Sequence, residues 1–290
     1  MAKVSFSQYS MWSSCPHQYK LNYIDKLGES SSNIHTIFGT AMHETIQHYL
    51  SVMYGVSKKQ ADSISLDKLL LERMRETYKK EVESMSEGTP CTQIELEEFY
   101  GDGRRILAWF TKYSSKFYSK SGYELVGIEI PLNKEIKTGV HFIGFIDIVV
   151  KDIASNEIII IDLKTSTMGW NQYQKADKMK NSQILLYKKY YADLFNIPMQ
   201  KIKVEYQILR RKLPEDSQFP IPHISKHIPA HGGPSVNKVY DEFMEFINTV
   251  FDDEGKYKDI EYPKVPGPAK KNCKWCEFGN RGICDKKATK

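Results

Sequence analysis

No stretch of the sequence approaches the roughly 20 apolar residues that a membrane-spanning helix needs, and the N-terminal MAKVSFSQYSMWSSCPHQYK lacks the apolar core of a signal peptide. These absences predict a soluble, cytoplasmic protein with no membrane partner. No internal repeat and no low-complexity linker interrupts the chain, so a single domain over 1–290 is expected. Charge of one sign is also short. The 41 Lys plus Arg stand against 36 Asp plus Glu, and the resulting +5 permits a polyanionic partner without requiring one. Cysteine is scarce, with 5 in 290 residues. A chain of this size buries a substantial core without disulfides, so in a reducing compartment the cysteine spacing points first to metal or cluster ligation.

What is present begins with helices. Phe38–Met53 carries Met42, Ile46, Tyr49 and Leu50 at helical spacing, with Thr40 as the candidate N-cap. SLDKLLLERMRETYKKEVESM and IELEEFYGDGRRILAWFTKYSSKFY are charged, apolar every three or four residues, and parted by the turn-like EGTPCT; they predict a helical arm over about 54–120. The texture changes at Tyr123. ELVGIEIPLNKEI, GVHFIGFIDIVVKD and EIIIIDLKTS are short, rich in Ile and Val, and broken at Lys137–Gly139 and Ala154–Asn156, as three strands of one sheet would be. A helix over Ala176–Phe195, a strand KVEYQILRR, a Pro- and His-containing stretch Pro214–Pro234, an amphipathic helix over Val236–Phe251 and a loop-like tail complete an α/β order.

In IIIIDLK, Asp162 and Lys164 lie two apart on a predicted strand and project from one face, while Leu163 points the other way. The preceding strand, GFIDIVV, sets Asp147 among apolar residues, and a hairpin connection brings it near Asp162. Two carboxylates among β-branched side chains repel and resist ionisation unless a cation lies between them, and oxygen ligands suit Mg2+ or Mn2+. A lysine beside them can hold a water and stabilise charge developing on a phosphate. An Asp and Lys two apart can also form a solvated ion pair at a sheet edge, but that reading leaves Asp147 buried without a partner.

His43 lies in GTAMHETIQHYL at the edge of the helix's apolar stripe, where an imidazole can complete a metal site or simply pack. HETIQH is not the zinc-protease pattern HExxH: His43 and His48 are five apart and fall on different faces, which excludes that reading. Gln183 and Tyr187, four apart on one helical face, follow the strands by one crossover. In themselves they are ordinary core-edge residues.

Taken in order, His43, the GFID ending at Asp147, the DLK of Asp162–Lys164 and the QILLY of Gln183–Tyr187 resemble the RecB-like branch of the PD-(D/E)XK nucleases, whose motifs run His, GxxD, (D/E)xK and QxxxY. The resemblance implies a restriction-endonuclease-like central mixed sheet flanked by helices, with the helical arm inserted before a nuclease core at about 121–212. It implies Asp147, Asp162, His43 and the Leu163 carbonyl as ligands of Mg2+ or Mn2+, Lys164 as the catalytic lysine, and Gln183 and Tyr187 as support for the site or the DNA strand. Glu129, in GIEIPL, stands where many relatives carry an acid, although a surface-strand glutamate looks the same. Ile146 replaces the proline of the family name, a common departure. The implied activity is a DNA exonuclease of processing, repair or recombination. A structure-specific endonuclease and a non-catalytic DNA-binding subunit are the alternatives. The implied partners are DNA with a single-stranded portion or a free end, and recombination or CRISPR-adaptation proteins; an oligomer is compatible. Without helicase motifs, the chain fits a phage recombination enzyme or a CRISPR-adaptation relative.

The tail CKWCEFGNRGIC holds Cys273, Cys276 and Cys284, and three thiolates so close together in an intracellular chain point to metal or cluster ligation. Cys15, in SQYSMWSSCPHQYKLNYI, is the candidate fourth ligand. Its segment is similar to the N-terminal segment of the iron-sulfur nucleases of the same branch, the CRISPR-acquisition exonucleases and the AddB-type subunit, which implies a [4Fe-4S] cluster clasping the two ends of the chain. Spacing alone leaves zinc open, and residues 277–283 between Cys276 and Cys284 are more than the usual number. Either centre closes a loop of nearly the whole chain. Cys91 has no partner spacing and reads as a free thiol.

His223, His227 and His231 recur every four residues, but Pro220, Pro222 and Pro229 oppose a helix there, so a loop or edge strand is expected. Arg210, Arg211 and Lys212, and Lys175, Lys178 and Lys180, can contact phosphates or form an ordinary solvated surface. Tyr9, Trp12, Tyr19 and Tyr23 suit core or clasp packing, or base stacking.

Overall fold

The computed structural model describes residues 1–29, 32–85, 88–214 and 219–285. Glu87, at the start of EGTPCT, and residues 215–218 of the Pro214–Pro234 stretch lie outside the described residues. In chain order the principal elements are β1 (Ala2–Val4), α1 (Phe6–Ser14), α2 (Ile34–Gly55), α3 (Leu66–Ser84), α4 (Gln93–Tyr113), β2 (Tyr123–Lys137), β3 (Val140–Asp152), β4 (Ile158–Ser166), α5 (Lys178–Phe195), β5 (Ile202–Arg210), β6 (Ile224–His227) and α6 (Gly233–Val250). Helix α2 starts earlier than the Thr40 cap predicts. Asn33 is the N-cap, its side chain accepting from the backbone N–H groups of His35 and Thr36, so the apolar stripe gains Ile34 and Ile37. A reciprocal capping box between Thr92 and Glu95 starts α4. Helix α5 stops at Asn196, which takes the left-handed conformation.

The chain falls into two compact units, residues 30–130 with 145–235, and residues 1–29 with 131–144 and 236–290. In the first, β3 and β4 pair antiparallel from Ile148↔Ile161 to Lys151↔Ile158, β4 and β5 pair parallel along Ile158–Ser166, and β5 and β6 pair antiparallel. The sheet is therefore mixed, with α5 as the crossover between its two parallel strands. Strand alternation divides its residues. Ile148, Val150, Ile161, Leu163, Leu209 and Ile224 join one buried apolar cluster with residues of α2, α3 and α4, among them Phe38, Met42, Leu70, Ile106 and Phe110. The residues between them on β4, Asp162 and Lys164, are left on the other face.

In the second unit β1 pairs parallel with the start of β3, Ala2↔Val140 to Val4↔Phe142. Its core is aromatic. Tyr9 packs against Phe243 at 5.4 Å and Phe246 at 5.8 Å, and Tyr19 meets Phe246 edge-on at 5.4 Å. Tyr9 and Tyr19 are buried, as core packing predicts. The tail is not wholly loop-like: short helical turns at Pro268–Lys270, Lys271–Lys274 and Glu277–Asn280 carry or flank the C-terminal cysteines. No helix of the described residues is long and apolar enough to cross a membrane.

Candidate functional site

The β3–β4 ladder reaches Ile148↔Ile161, so Asp147 and Asp162 are the next residues on each strand. Asp147 Oδ2 accepts a hydrogen bond from the Leu163 backbone N–H at 2.7 Å, which ties the carboxylate of one strand to the backbone of the other. His43 Nδ1, from α2, lies 3.5 Å from the same oxygen. The Leu163 carbonyl faces the His43 ring. On β4, Lys164 Nζ stands 2.8 Å from Asp162 Oδ2 and donates to Gln183 Oε1 of α5 at 3.0 Å; Gln183 Nε2 in turn donates to the Tyr187 hydroxyl at 3.1 Å. The structure thus brings His43, Asp147, Asp162, Leu163, Lys164, Gln183 and Tyr187 into one connected group.

The electrostatics follow from depth. Burial pushes the Asp147 and Asp162 carboxyls each up to about 6, against the pull of the Lys164 ammonium. Burial pulls His43 down to about 4, with the Lys164 charge acting the same way, so the ring is neutral near pH 7 and has a nitrogen lone pair to offer. Burial alone would lower Lys164, but Asp162 and Asp147 outweigh it and raise the ammonium above its ordinary value. Although Lys164 is close, Asp162 Oδ2 takes no well-aligned hydrogen bond and is shut off from solvent. A buried carboxylate oxygen with spare acceptor capacity, a second carboxylate pushed up by burial, a neutral imidazole and a carbonyl form a hard donor set that fits a divalent cation. Among the described residues no three His, Cys, Asp or Glu side chains are already drawn together tightly enough to hold a metal ion.

Two further residues belong to this group. Gln47, one helical turn beyond His43 on α2, is buried and donates from Nε2 to Glu129 Oε1 at 2.6 Å and to the Asp147 carbonyl at 3.2 Å. Glu129 takes a positive φ of 49° within β2, and its charge acts on both His43 and Asp147. Glu129 was legible only as an acid in a plausible place. Gln47 went unread, although its four-residue offset from His43 is the signal that could have found it.

The cysteines lie in the other unit. Cys15, Cys273, Cys276 and Cys284 line one small pocket together with Val265 and Asn272. The Val265 N–H donates to Cys15 Sγ at 3.4 Å, and Asn272 Nδ2 donates to the carbonyls of Ser14 at 2.8 Å and Val265 at 3.1 Å. Burial raises the Cys284 thiol, and the other three sulfurs act on it. Cys91 is on α4's N-terminal side, far in sequence from these four, and partly buried against the apolar cluster of its own unit.

The remaining basic and histidine residues separate on inspection of their partners. His223 Nδ1 meets the Arg210 carbonyl at 2.8 Å, His227 Nε2 meets Asn181 Oδ1 at 3.1 Å and His231 Nδ1 meets the Pro229 carbonyl at 2.9 Å, on and around the edge strand β6. Arg211 and Lys212 are already engaged by carboxylates. Both bind Asp102, a fully buried residue of α4, at 2.8 and 3.1 Å, and the Arg211 guanidinium lies 3.5 Å from the Phe99 ring centre.

The sequence pattern of the PD-(D/E)XK nuclease superfamily matches residues 3–285 of the chain. No curated protein matches it. Among solved structures it is similar to SSO0001, at 12% identity over 94% of this chain and 96% of that one with a TM-score of 0.32. It is also similar to a protein from Eubacterium rectale provisionally named an exonuclease, at 12% identity over 91% of each chain with a TM-score of 0.43.

Proposed function

The chain belongs to the PD-(D/E)XK nuclease superfamily, and from that premise we propose that it hydrolyses DNA phosphodiester bonds from a free end with Mg2+ or Mn2+ as its resident metal. The observation that carries this reading is the single group formed by Asp147, Asp162 and Lys164, in which Lys164 Nζ lies 2.8 Å from one carboxylate and the Leu163 N–H ties the other to the same strand at 2.7 Å. Asp147, Asp162, His43 and the Leu163 carbonyl would hold the cation. Bound there, it supplies Lewis acidity toward a phosphate oxygen and the attacking water. Lys164 does the rest of the electrostatic work: its ammonium, aimed by Asp162 and Gln183, faces the phosphate and offsets charge that builds on it. Gln183 and Tyr187 position Lys164. Water's oxygen bonds to phosphorus as one P–O ester bond breaks; of the water's two protons one ends on the departing oxygen, which leaves as a hydroxyl, and the other stays with the new phosphate monoester or ionises from it to solvent.

For the second centre, the proposal is a [4Fe-4S] cluster on Cys15, Cys273, Cys276 and Cys284. Four sulfurs around one pocket and an N–H already directed at Cys15 Sγ suit such a centre. An anaerobic preparation should be brown with a broad visible absorption; a colourless protein containing one zinc would replace the cluster with zinc.

The test of the hydrolase is cleavage of labelled linear DNA with Mg2+ or Mn2+, a chelator control, and closed circular DNA alongside. Linear DNA should shorten from its end, the circle should persist, and chelation should stop the reaction. Asp162→Asn or Lys164→Ala degrading DNA at the wild-type rate would refute the site, and equal attack on the circle would replace exonuclease by endonuclease.

A further inference from the structure

Between Lys164 on β4 and Gln183 on α5 the chain makes an excursion over 167–177 to which the hydrolytic site gives no role. It is firmly held. Ser166 Oγ accepts from the Gly169 N–H and donates to the Gly169 carbonyl, both at 3.1 Å. Gly169 has a φ of +90° and lies so close to Arg210 that a Cβ would meet its Nε at 2.9 Å. Trp170 packs on Tyr206 at 5.0 Å and His227 at 5.8 Å. The short helix Gln172–Ala176 begins on a reciprocal Asn171–Gln174 capping box, and Asn181 Nδ2 fastens its far end through the Lys175 carbonyl at 2.8 Å.

This pinned segment displays what folding normally hides. Tyr173 is 86% exposed and Met168 58% exposed. A mobile tip could carry such side chains without consequence, but a tethered one presents a large ring from a fixed backbone position, which lowers the entropic cost to a ligand. The charges around it are unbalanced. Lys175, Lys178 and Arg210 enter no ion pair among the described residues, while the nearby Asp177 is engaged as the N-cap of α5 through the Lys180 N–H. Lys180 Nζ lies over the Trp170 ring at 5.5 Å.

We propose that this surface receives the unpaired end of a DNA strand on its way to Lys164, with Tyr173 stacking on one base and Lys175, Lys178 and Arg210 taking the flanking phosphates. It rests on the DNA-hydrolase reading above and adds the form of DNA the site accepts. A ring stacks only on an open base face, which every base of a single strand can offer but only the terminal pairs of a blunt duplex can, so the ring favours single strand, whereas cations alone would bind both. The segment is joined directly to the strand bearing Lys164 and to the helix bearing Gln183, so a strand held there is delivered beside both.

The test is fluorescence anisotropy of labelled oligothymidylate and of a blunt duplex with the full chain in chelator, where no cleavage occurs. Tyr173→Ala should weaken oligothymidylate binding about tenfold and leave the duplex nearly unchanged, and Tyr173→Phe should bind like the wild type. Lys175→Ala and Lys178→Ala should each reduce the slope of log affinity against log salt by about 0.7. Unchanged oligothymidylate affinity in Tyr173→Ala, or an equal loss on both DNAs, overturns the platform. Metal-dependent cleavage by the wild type is scored separately. Cleavage with an indifferent Tyr173→Ala sinks the platform alone; binding as expected without cleavage sinks the hydrolase reading alone.

Discussion

The two candidate centres of this chain are held in opposite ways. Around β4 each polar side chain is fixed by another: Leu163 N–H to Asp147, Lys164 to Asp162 and Gln183, Gln183 to Tyr187, Gln47 to Glu129. These partners sit on strands and long helices whose positions an apolar cluster already sets. In the cysteine pocket the sulfurs come from the start of one short segment and from turns of four residues or fewer, and the backbone N–H of Val265 donates to one of the sulfurs. The lesson is that the first centre is built by the fold and would then receive its proposed cation, whereas the second would itself do part of the folding, in the manner of small metal-stapled modules.

That contrast is most sharply broken at its most ordered point. Asp162→Asn and Lys164→Ala should each lower the rate of DNA hydrolysis by about a thousandfold, since the first loses a carboxylate that would hold the cation and the second the ammonium that offsets charge building on the phosphate. Neither should unfold the protein. In chelator Asp162→Asn should melt above the wild type, because burial disfavours the carboxylate it replaces. Added Mg2+ should raise the wild-type melting temperature and leave that variant's unmoved. A variant that melts well below the wild type would mean that the fold depends on this group, and the contrast would fail.

The cysteine side is expected to behave conversely. Cys15→Ala or Cys273→Ala, by opening a link between distant parts of the chain, should cost about 4 kcal/mol in urea unfolding, the scale of closing a long loop. Cys91→Ser, on a thiol outside the pocket, should stay within about 1 kcal/mol of the wild type. Equal stability of the Cys15 and Cys273 variants would show that the centre is not a staple.

The same contrast governs what the sequence made legible. Asp147, Asp162 and Lys164 could be placed because a period of two puts the latter pair on one face and the short Asp152–Glu157 connection fixes the ladder, so local rules suffice. The helix α5 followed from the same kind of periodicity, whereas the mixed sheet was implied by the family resemblance and not by any local spacing. The start of α2 was misplaced because Thr40 and Asn33 are both competent caps, and the choice rests on whether Ile34 and Ile37 are buried, a tertiary fact. Arg211 and Lys212 looked like surface bases because their partner, Asp102, is more than a hundred residues away in sequence. Nothing local announces such a pair. The platform of Trp170 and Tyr173 was equally silent, since a loop's composition does not say which of its rings is pinned inward and which is left outside.

Gln47 tests how far preorganisation around β4 extends. Gln47→Ala leaves the Glu129 carboxylate without its 2.6 Å donor and frees the Asp147 carbonyl, so stability should fall by about 2 kcal/mol. Mn2+ affinity, followed by calorimetry rather than by activity, should fall about tenfold, as it does when a partner of a metal ligand is removed. Loss of stability with unaltered Mn2+ binding would confine Gln47 to packing.

The smallest effect concerns a charge in the same unit that lacks what Lys164 has. Lys188, on α5, is buried with the His231 carbonyl as its 2.8 Å acceptor, and burial, aided by the Lys203 charge, pulls its ammonium down to about 8. The unfolded chain therefore holds more protons than the folded one between about pH 8 and 10.5, so stability should rise with pH across that window, the cost being fully present below it. Lys188→Met removes the ammonium and should raise the urea midpoint at neutral pH while flattening its rise toward pH 10.5. A lower midpoint at neutral pH would mean that the bond to the His231 carbonyl outweighs desolvation. The distinction would then lie not between lysines with and without a carboxylate, as the opposite displacements of Lys164 and Lys188 suggest, but between those with and without any acceptor at all.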